Sequence, residues 1–400
     1  MIDAAALSQR PHLDLSDLLA LAEGRLLADP RAPRLPRGPL LPFHGVPLLA
    51  WDPERERGRI EARRRVHLND WFFDCHFRAD PVMPGCLGVD ALWQCLRVFG
   101  AWRGLPGPLR PVALADCGFF GQIRPHDREV TYRVEDVEVE PCGGGWALTG
   151  RGEVAVDDEP IYRCAELSVA AEPAGEGASA PALPHAPAPV DLERELPAPL
   201  TLGELHARDH FTRAELVAAG RGTLTATWPE DMARLPTGLM LNLASIAHLS
   251  FDERAGRGWI EAKLDNDPCS WSVSLDAGEQ PTMLLLDAIW QLLGFFLTWL
   301  GARGSGRALG CEELLVHAPC PPTAAPLRCR IEVLRVHRAA NDSFVLGDAW
   351  VLPPAGAGER PLLSVLKAKV GCHPGIAYPT HPRSDSPQRR GGRLAGRVDR

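Results

Sequence analysis

The chain has 400 residues, too many for one average domain and about right for two. Its apolar share of 45% and charged share of 24% are ordinary for a chain with a real core. A formal net charge of −8 gives no sign of a nucleic-acid surface, and docking of an acidic partner would need a local basic patch that composition does not show. The eleven cysteines form no C-x-x-C pair and lie in apolar segments, as at Cys95 and Cys164. They read as reduced packing thiols in a cytoplasmic protein. The N-terminal MIDAAALSQRPHLDL lacks the basic start and apolar run of a signal peptide.

In chain order, LSDLLALAEGRLL from Leu15 predicts a short amphipathic helix with Ser16 as its N-cap. A strand is expected around G-x-I-E-A (Gly58 to Ala62), then an irregular loop, then a long apolar helix from about Gly85. VTYRVEDVEV from Val130 and GWALTGRGEVAV from Gly145 alternate as strands with one buried face. Ala171 to Leu200 is Pro- and Ala-rich without periodicity and reads as a linker.

The same series then returns. FTRAELVAAGRGTL from Phe211, with Thr212 as N-cap, repeats the opening helix. RGWIEAKLDNDPCSW (Arg257 to Trp271) repeats RGRIEARRRVHLNDW (Arg57 to Trp71) at an offset of 200. LLLDAIWQLLGFFLTWLG (Leu284 to Gly301) repeats LGVDALWQCLRVFGAWRG (Leu87 to Gly104) at an offset of 197, and LRCRIEVLRV from Leu327 repeats VTYRVEDVEV. Four matches in one order show a duplicated domain. The expected organisation is 1–170, a linker over 171–200, a second copy over 201–374 and a disordered tail over 375–400, rich in Arg, Ser, Pro and Gly. Met283 to Leu300 is nearly long enough to span a bilayer, but it carries Asp287 and Gln291 and has a relative in the first copy, so it reads as a buried helix. Periodicity alone supports an α+β, duplicated chain.

The run WFFDCHFRADPVMPGCLGVDALWQ (Trp71 to Gln94) resembles the FabA-type β-hydroxyacyl-ACP dehydratase/isomerase family: the His-Phe pair, the D-P-V-M-P-G loop, and L-G-x-D-A-x-W-Q on the helix. The likeness extends to LPFHGVPLLAWD and to G-Q-I-R-P with V-T-Y-R after it. The tandem arrangement is similar to the paired dehydratase domains of polyunsaturated fatty acid synthases and has the split logic of polyketide synthase dehydratases. The resemblance implies a double hot-dog fold, two copies each with an antiparallel sheet wrapped around a central helix. It also implies a 3-hydroxyacyl-[acyl-carrier-protein] dehydratase of fatty acid or polyketide biosynthesis, with acyl carrier protein and other synthase subunits as partners. In that family a His from one subunit works with an Asp from the central helix of the other. His76 and Gly85 match in the first copy, and Asp90 and Asp287 in the two helices.

Dehydration needs a base for the C2 proton, which suits histidine, and an acid for the departing hydroxyl. Asp287 among Leu286, Ala288, Ile289 and Leu292 is pushed toward its neutral form by desolvation, and Gln291, four residues on, shares its helix face. The N–H of Gly85, at the start of the helix after Pro84, is placed to stabilise enolate charge on the thioester oxygen. The chemistry needs no metal or organic cofactor.

The copies are unequal. WSVSLDAGEQPTMLLLD (Trp271 to Asp287) has no histidine and is three residues shorter than its partner. His76 corresponds to Asp276 counting forward or to Val273 counting back, and Thr282 stands for Gly85. One site is therefore expected from His76, Gly85, Asp287 and Gln291, and a vestigial one at Asp90 and Gln94. Cys86 reads as a packing residue, Trp93, Trp102, Trp290 and Trp299 as core, and the i, i+4 spacing of His206 and His210 as chance. Asp rather than Glu as the acid resembles the branch that also isomerises trans-2 to cis-3 double bonds. The competing functions are a hot-dog acyl thioesterase and a catalytically silent acyl-binding scaffold.

Overall fold

Along Val130 to Glu135, Val130, Tyr132 and Val134 are buried while Arg133 and Glu135 are not, the alternation of a strand with one face on a core, from which the buried Thr131 alone departs. The computed structural model describes residues 1–171 and 196–373, apart from 269, 274, 276–278, 324, 340 and 341. The first half contains α1 (Ala4–Ser8), α2 (Leu15–Ala22), β1 (Gly45–Asp52), β2 (Arg57–Arg65), α3 (Gly85–Trp102), β3 (Leu109–Phe119), β4 (Glu129–Cys142), β5 (Gly145–Val156) and β6 (Glu159–Ala171). The second contains α4 (Leu202–Ala207), α5 (Arg213–Arg221), β7 (Leu243–Asp252), β8 (Arg257–Leu264), α6 (Thr282–Trp299), β9 (Ser305–Val316), β10 (Leu327–Ala339), β11 (Asp342–Leu352) and β12 (Leu363–His373).

These strands form one antiparallel sheet in the order β1-β2-β4-β5-β6-β3-β9-β12-β11-β10-β8-β7. Read inward from its own edge, each half has the same order, so the duplication legible in the sequence is a duplication of topology. Each half wraps one long helix, α3 or α6, and the two helices also touch each other. Helix α3 is buried on every side from Cys86 to Trp102. Helix α6 is apolar and long enough to cross a membrane, yet 83% of that span is buried inside the protein. A helix apolar all round belongs in a core, and the sheet supplies it. The architecture is a double hot-dog, α+β.

The halves join where β3 pairs with β9, Cys117 opposite Cys311 and Gly118 opposite Gly310. At this seam Gly310 has φ +125°, and a Cβ there would fall 1.9 Å from the Cys117 carbonyl oxygen. Only glycine permits so close an approach.

Some local expectations differ from what forms. Asp14, not Ser16, caps α2: its side chain accepts from Asp17 N, and the Asp17 carboxylate in turn accepts from Asp14 N. The Ser16 hydroxyl instead donates to Asp14 Oδ1 at 2.7 Å. Thr212 caps α5 as expected, with Glu215 closing the capping box. Strand β6 runs to Ala171, and Leu200 already pairs in parallel with Thr225. Residues 172–195 and 374–400, which hold most of the expected linker and all of the expected tail, lie outside the described residues. The described cysteines are unbridged and, save Cys142, buried.

Candidate active site

The residues after β2 turn back on themselves before α3. A 3-10 turn (Trp71–Asp74) leads to His76, whose N–H donates to Phe72 O at 2.8 Å and whose carbonyl accepts from Val82 N at 2.9 Å. His76 Nδ1 lies 3.0 Å from the Val82 carbonyl. A carbonyl only accepts, so Nδ1 carries the hydrogen and the lone pair sits on Nε2. The ring packs on Phe77 with centroids 4.0 Å apart and is 8% exposed.

This loop is held by the other half. Arg307 on β9, itself 7% exposed, donates to Asp80 at 2.7–2.9 Å and to Gln122 Oε1 at 2.7 Å. By the 197-residue offset its counterpart is Arg110 on β3, which grips Glu279 ahead of α6 at 2.7 Å. The clamp thus occurs in both directions. Substituting Arg307→Met leaves the Asp80 carboxylate without its buried cation and is expected to cost about 3–5 kcal/mol, read as a lowered midpoint in urea unfolding. Arg110→Met, at a more exposed pair, is expected to cost less.

Symmetric contacts also fix the register of the second loop. Thr237 N donates to Cys75 O at 2.8 Å, and Arg37 N donates to Leu275 O at 3.0 Å. Trp71 and Trp271 meet edge to face at 5.2 Å. Cys75 and Leu275 are therefore equivalent, and the counterpart of His76 is position 276. Asp276 lies outside the described residues. Val273 is buried at the place of Phe73 rather than of His76.

Helix α6 brings Asp287 and Gln291 to the same place. Gln291 Nε2 donates to Asp287 Oδ2 at 2.6 Å and to Met240 O at 2.7 Å, so the amide is fixed at one end by backbone and at the other holds the carboxyl. Asp287 is 4% exposed. Burial pushes its pKa up to about 6, against the Gln291 hydrogen bond and the nearby Cys86 thiol, which pull it down. Burial pushes His76 down to about 4. The Arg307 charge acts the same way, and the Val82 hydrogen bond opposes it.

One cavity enclosing about 800 Å³, its mouth included, is lined by His76 and Gly85 from the first half and by Asp287 and Gln291 from the second. Gly85 is the first residue of α3 after the N-cap Pro84, where backbone N–H groups have no partner within the helix. A Cβ there would meet Phe119 at 3.1 Å. Asp90 and Gln94 are not part of this lining. Gln94 Nε2 lies 3.3–3.4 Å from both Asp90 oxygens, and Gln94 Oε1 accepts from Arg97 at 3.4 Å.

Of the residues expected in the core, Trp290 also borders the site. Cys86 is fully buried in the core, as a packing residue. Trp290 lines the cavity edge to face with Phe119 at 5.2 Å, and its buried indole N–H has no partner among the described residues, whereas Trp93 donates to Ala113 O at 3.3 Å. Nothing in the sequence distinguishes the two tryptophans. Trp102 and Trp299 do act as packing residues, donating to Arg10 O and Arg208 O at 2.8 and 2.7 Å. His206 bonds the Trp299 carbonyl and His210 bonds Asp209, so the pair is not brought together.

Among solved structures, the chain is similar to the dehydratase domain from the CurJ module of curacin polyketide synthase. That match has 11% identity and a TM-score of 0.45, over 83% of this chain and 98% of that one. It is also similar to the bifunctional dehydratase-cyclase domain in ambruticin biosynthesis, at 14% identity and a TM-score of 0.39 over 82% and 94%. A variant of GphF DH1 matches at 15% identity and a TM-score of 0.41 over 82% and 96%. The FabA-like domain model matches residues 35–165 and again 235–353, one segment in each half and well over half of the chain together. The chain belongs to the FabA-like domain family, with the domain present twice in one polypeptide.

Proposed function

We propose that the protein dehydrates a 3-hydroxyacyl thioester, carried on an acyl carrier protein, to the trans-2-enoyl thioester. The observation that carries this reading is the convergence in one cavity of a neutral histidine with Nε2 free and an apolar-buried carboxyl of raised pKa. His76 Nε2 takes the C2 proton, the C2 electrons form the C2=C3 bond, and the C3–O bond breaks as Asp287 protonates the hydroxyl, which leaves as water. Charge that develops on the thioester oxygen meets the Gly85 N–H at the positive end of α3. The imidazolium and carboxylate then return to their starting states by net proton transfer from His76 to Asp287. Gln291 orients the acid, and the Arg307–Asp80 clamp holds the loop that carries the base.

The two pKa directions set the pH dependence. Lowering the His76 pKa to about 4 keeps the base form available down to that pH, and raising the Asp287 pKa to about 6 keeps the acid form available up to that pH. The kcat/KM profile is expected to be level between these values and to fall about tenfold per pH unit on either side. Substrate further desolvates Asp287, so the alkaline limb of kcat should lie above that of kcat/KM.

The decisive assay is incubation of 3-hydroxyacyl pantetheine and 3-hydroxyacyl carrier protein with the enzyme, followed by mass spectrometry. Loss of one water mass, giving an enoyl thioester, supports dehydration. Release of free thiol indicates a thioesterase, and an unchanged substrate indicates a silent acyl-binding unit. A cis-3 product in the same assay would add isomerisation.

A further inference from the structure

The cavity extends well beyond the reacting groups. From Asp287 it follows α6 past Gly294 and Phe295 to Thr298, eleven residues or about 16 Å of helix. Its second-half walls are mainly apolar, with Ala219 of α5, Trp228, Leu235 and Val370 among them and Arg234 and Thr298 among the polar members.

The first half shows what happens when such a space is not kept. Arg97 follows Asp90 by seven residues, as Gly294 follows Asp287. Arg97 is 7% exposed, and its guanidinium reaches back to Gln94. Counting from the N-caps Asp14 and Thr212, Leu21 of α2 is the counterpart of Ala219, and it too is buried. The pocket on that side, lined by Leu21, Gly24 and Arg34 among others, spans about 200 Å³, its mouth included, and is lined by none of Asp90, Gln94 and Arg97. The two halves differ at these positions in side-chain bulk: Gly294 and Ala219 line the larger cavity, whereas Arg97 and Leu21 stand at the equivalent positions of the first half.

Glycine within a helix costs backbone entropy, and at Gly294 no steric demand explains it. A Cβ there would meet only Val370 Cγ1, at 3.8 Å, an ordinary contact. An interior helical glycine with room for a side chain reads as a position kept empty for something else to occupy.

We propose that Gly294, with Ala219 beside the same space, determines how long an acyl tail the site accepts, the substrate being a thioester whose extended apolar chain lies along α6 past Gly294 toward Thr298. This rests on the dehydratase reading above and adds the chain-length class and the residues that set it. An apolar tail would remove the cavity walls from water, and selectivity of this kind grows with each methylene the pocket buries.

The test compares 3-hydroxybutyryl with 3-hydroxydodecanoyl pantetheine on wild type, Gly294→Leu and Ala219→Leu, with thermal unfolding of each protein. Wild type should turn over both. Each variant should lose about tenfold or more in kcat/KM on the long substrate while holding the short one within about twofold. Gly294→Leu should also unfold at an equal or higher temperature, because a good helix former replaces glycine. The more conservative Gly294→Ala keeps the test available if leucine perturbs folding, and it should show a smaller loss of the same kind. Equal effects on both substrates, no effect on either, or a wild type that dehydrates only the short substrate would overturn the proposal while leaving dehydration intact. A wild type that dehydrates neither would overturn the functional reading itself.

Discussion

Replacing His76 by alanine is expected to lower kcat for dehydration by about 10²–10⁴-fold, the range for loss of a positioned general base. The ring is not a generic core histidine. Its Nδ1–H is committed to the Val82 carbonyl, which fixes the tautomer and leaves Nε2 as the only nitrogen able to accept a proton. Its burial and the nearby Arg307 keep it uncharged, so it enters each turnover already as a base. Asp276, at the equivalent position, leaves the second copy without a histidine to take over. KM should change far less than kcat, because the apolar walls that would hold the acyl chain come from elsewhere. The check is steady-state turnover with the enoyl product quantified by mass spectrometry, beside a circular-dichroism melt to show the variant is folded. Near wild-type kcat in a folded His76→Ala protein would remove His76 from the chemistry. Substitution by glutamine, which can still accept or donate a hydrogen bond but cannot take the proton, should be as inactive as alanine.

Much of this arrangement is legible in the sequence because the duplication exposes it. The offsets of 200 and 197 around Trp71 and Asp90 mark two copies of one unit, and the difference between them marks the three residues missing between Leu275 and Thr282. Amphipathic alternation locates β4, β5 and β10 nearly to their ends, since a strand with one buried face has to alternate. The pairing of β3 with β9 is not legible, because it depends on a backbone approach at Gly310 that only the folded sheet reveals. The N-cap of α2 falls at Asp14 rather than Ser16 for a local reason. Asp14 and Ser16 are both good caps, and the Arg10 guanidinium on Asp17 favours the turn that starts at Asp14. That Trp290 borders a cavity is not legible, because an apolar helix gives no sign of which face does so. That face is set by Phe119 and Tyr162, which arrive from strands far along the chain. The Arg307 clamp was likewise hidden. An arginine inside R-A-L-G looks like any strand-edge cation until its partner is found 227 positions away.

The sharpest consequence of the asymmetry lies in two carboxylates with the same sequence surroundings. Asp287→Asn is expected to lower kcat by about 10²–10⁴-fold, and Asp90→Asn to leave it within about twofold. Both residues sit in D-A-x-W-Q on a buried helix, and both have a glutamine four residues on. Their surroundings decide their roles. Asp287 faces the cavity that contains His76 and Gly85, and Gln291 holds it by one strong bond at 2.6 Å with the amide anchored to Met240. Asparagine keeps the shape and the helix but cannot donate the proton that the leaving hydroxyl requires. Asp90 lies outside that lining, its contacts to Gln94 are long, and Arg97 occupies the helix position that Gly294 leaves open. Its substitution disturbs a buried polar cluster and is expected to cost about 1–3 kcal/mol of stability, seen in denaturant unfolding rather than in turnover. Measuring kcat and unfolding for both variants separates the alternatives. Equal loss of activity from the two would mean that both sites turn over. Loss from Asp90→Asn alone would place the acid in the first half and reverse the assignment. Loss from Asp287→Asn alone, with the unfolding cost falling on Asp90→Asn, is the outcome that a single site shared between the halves requires.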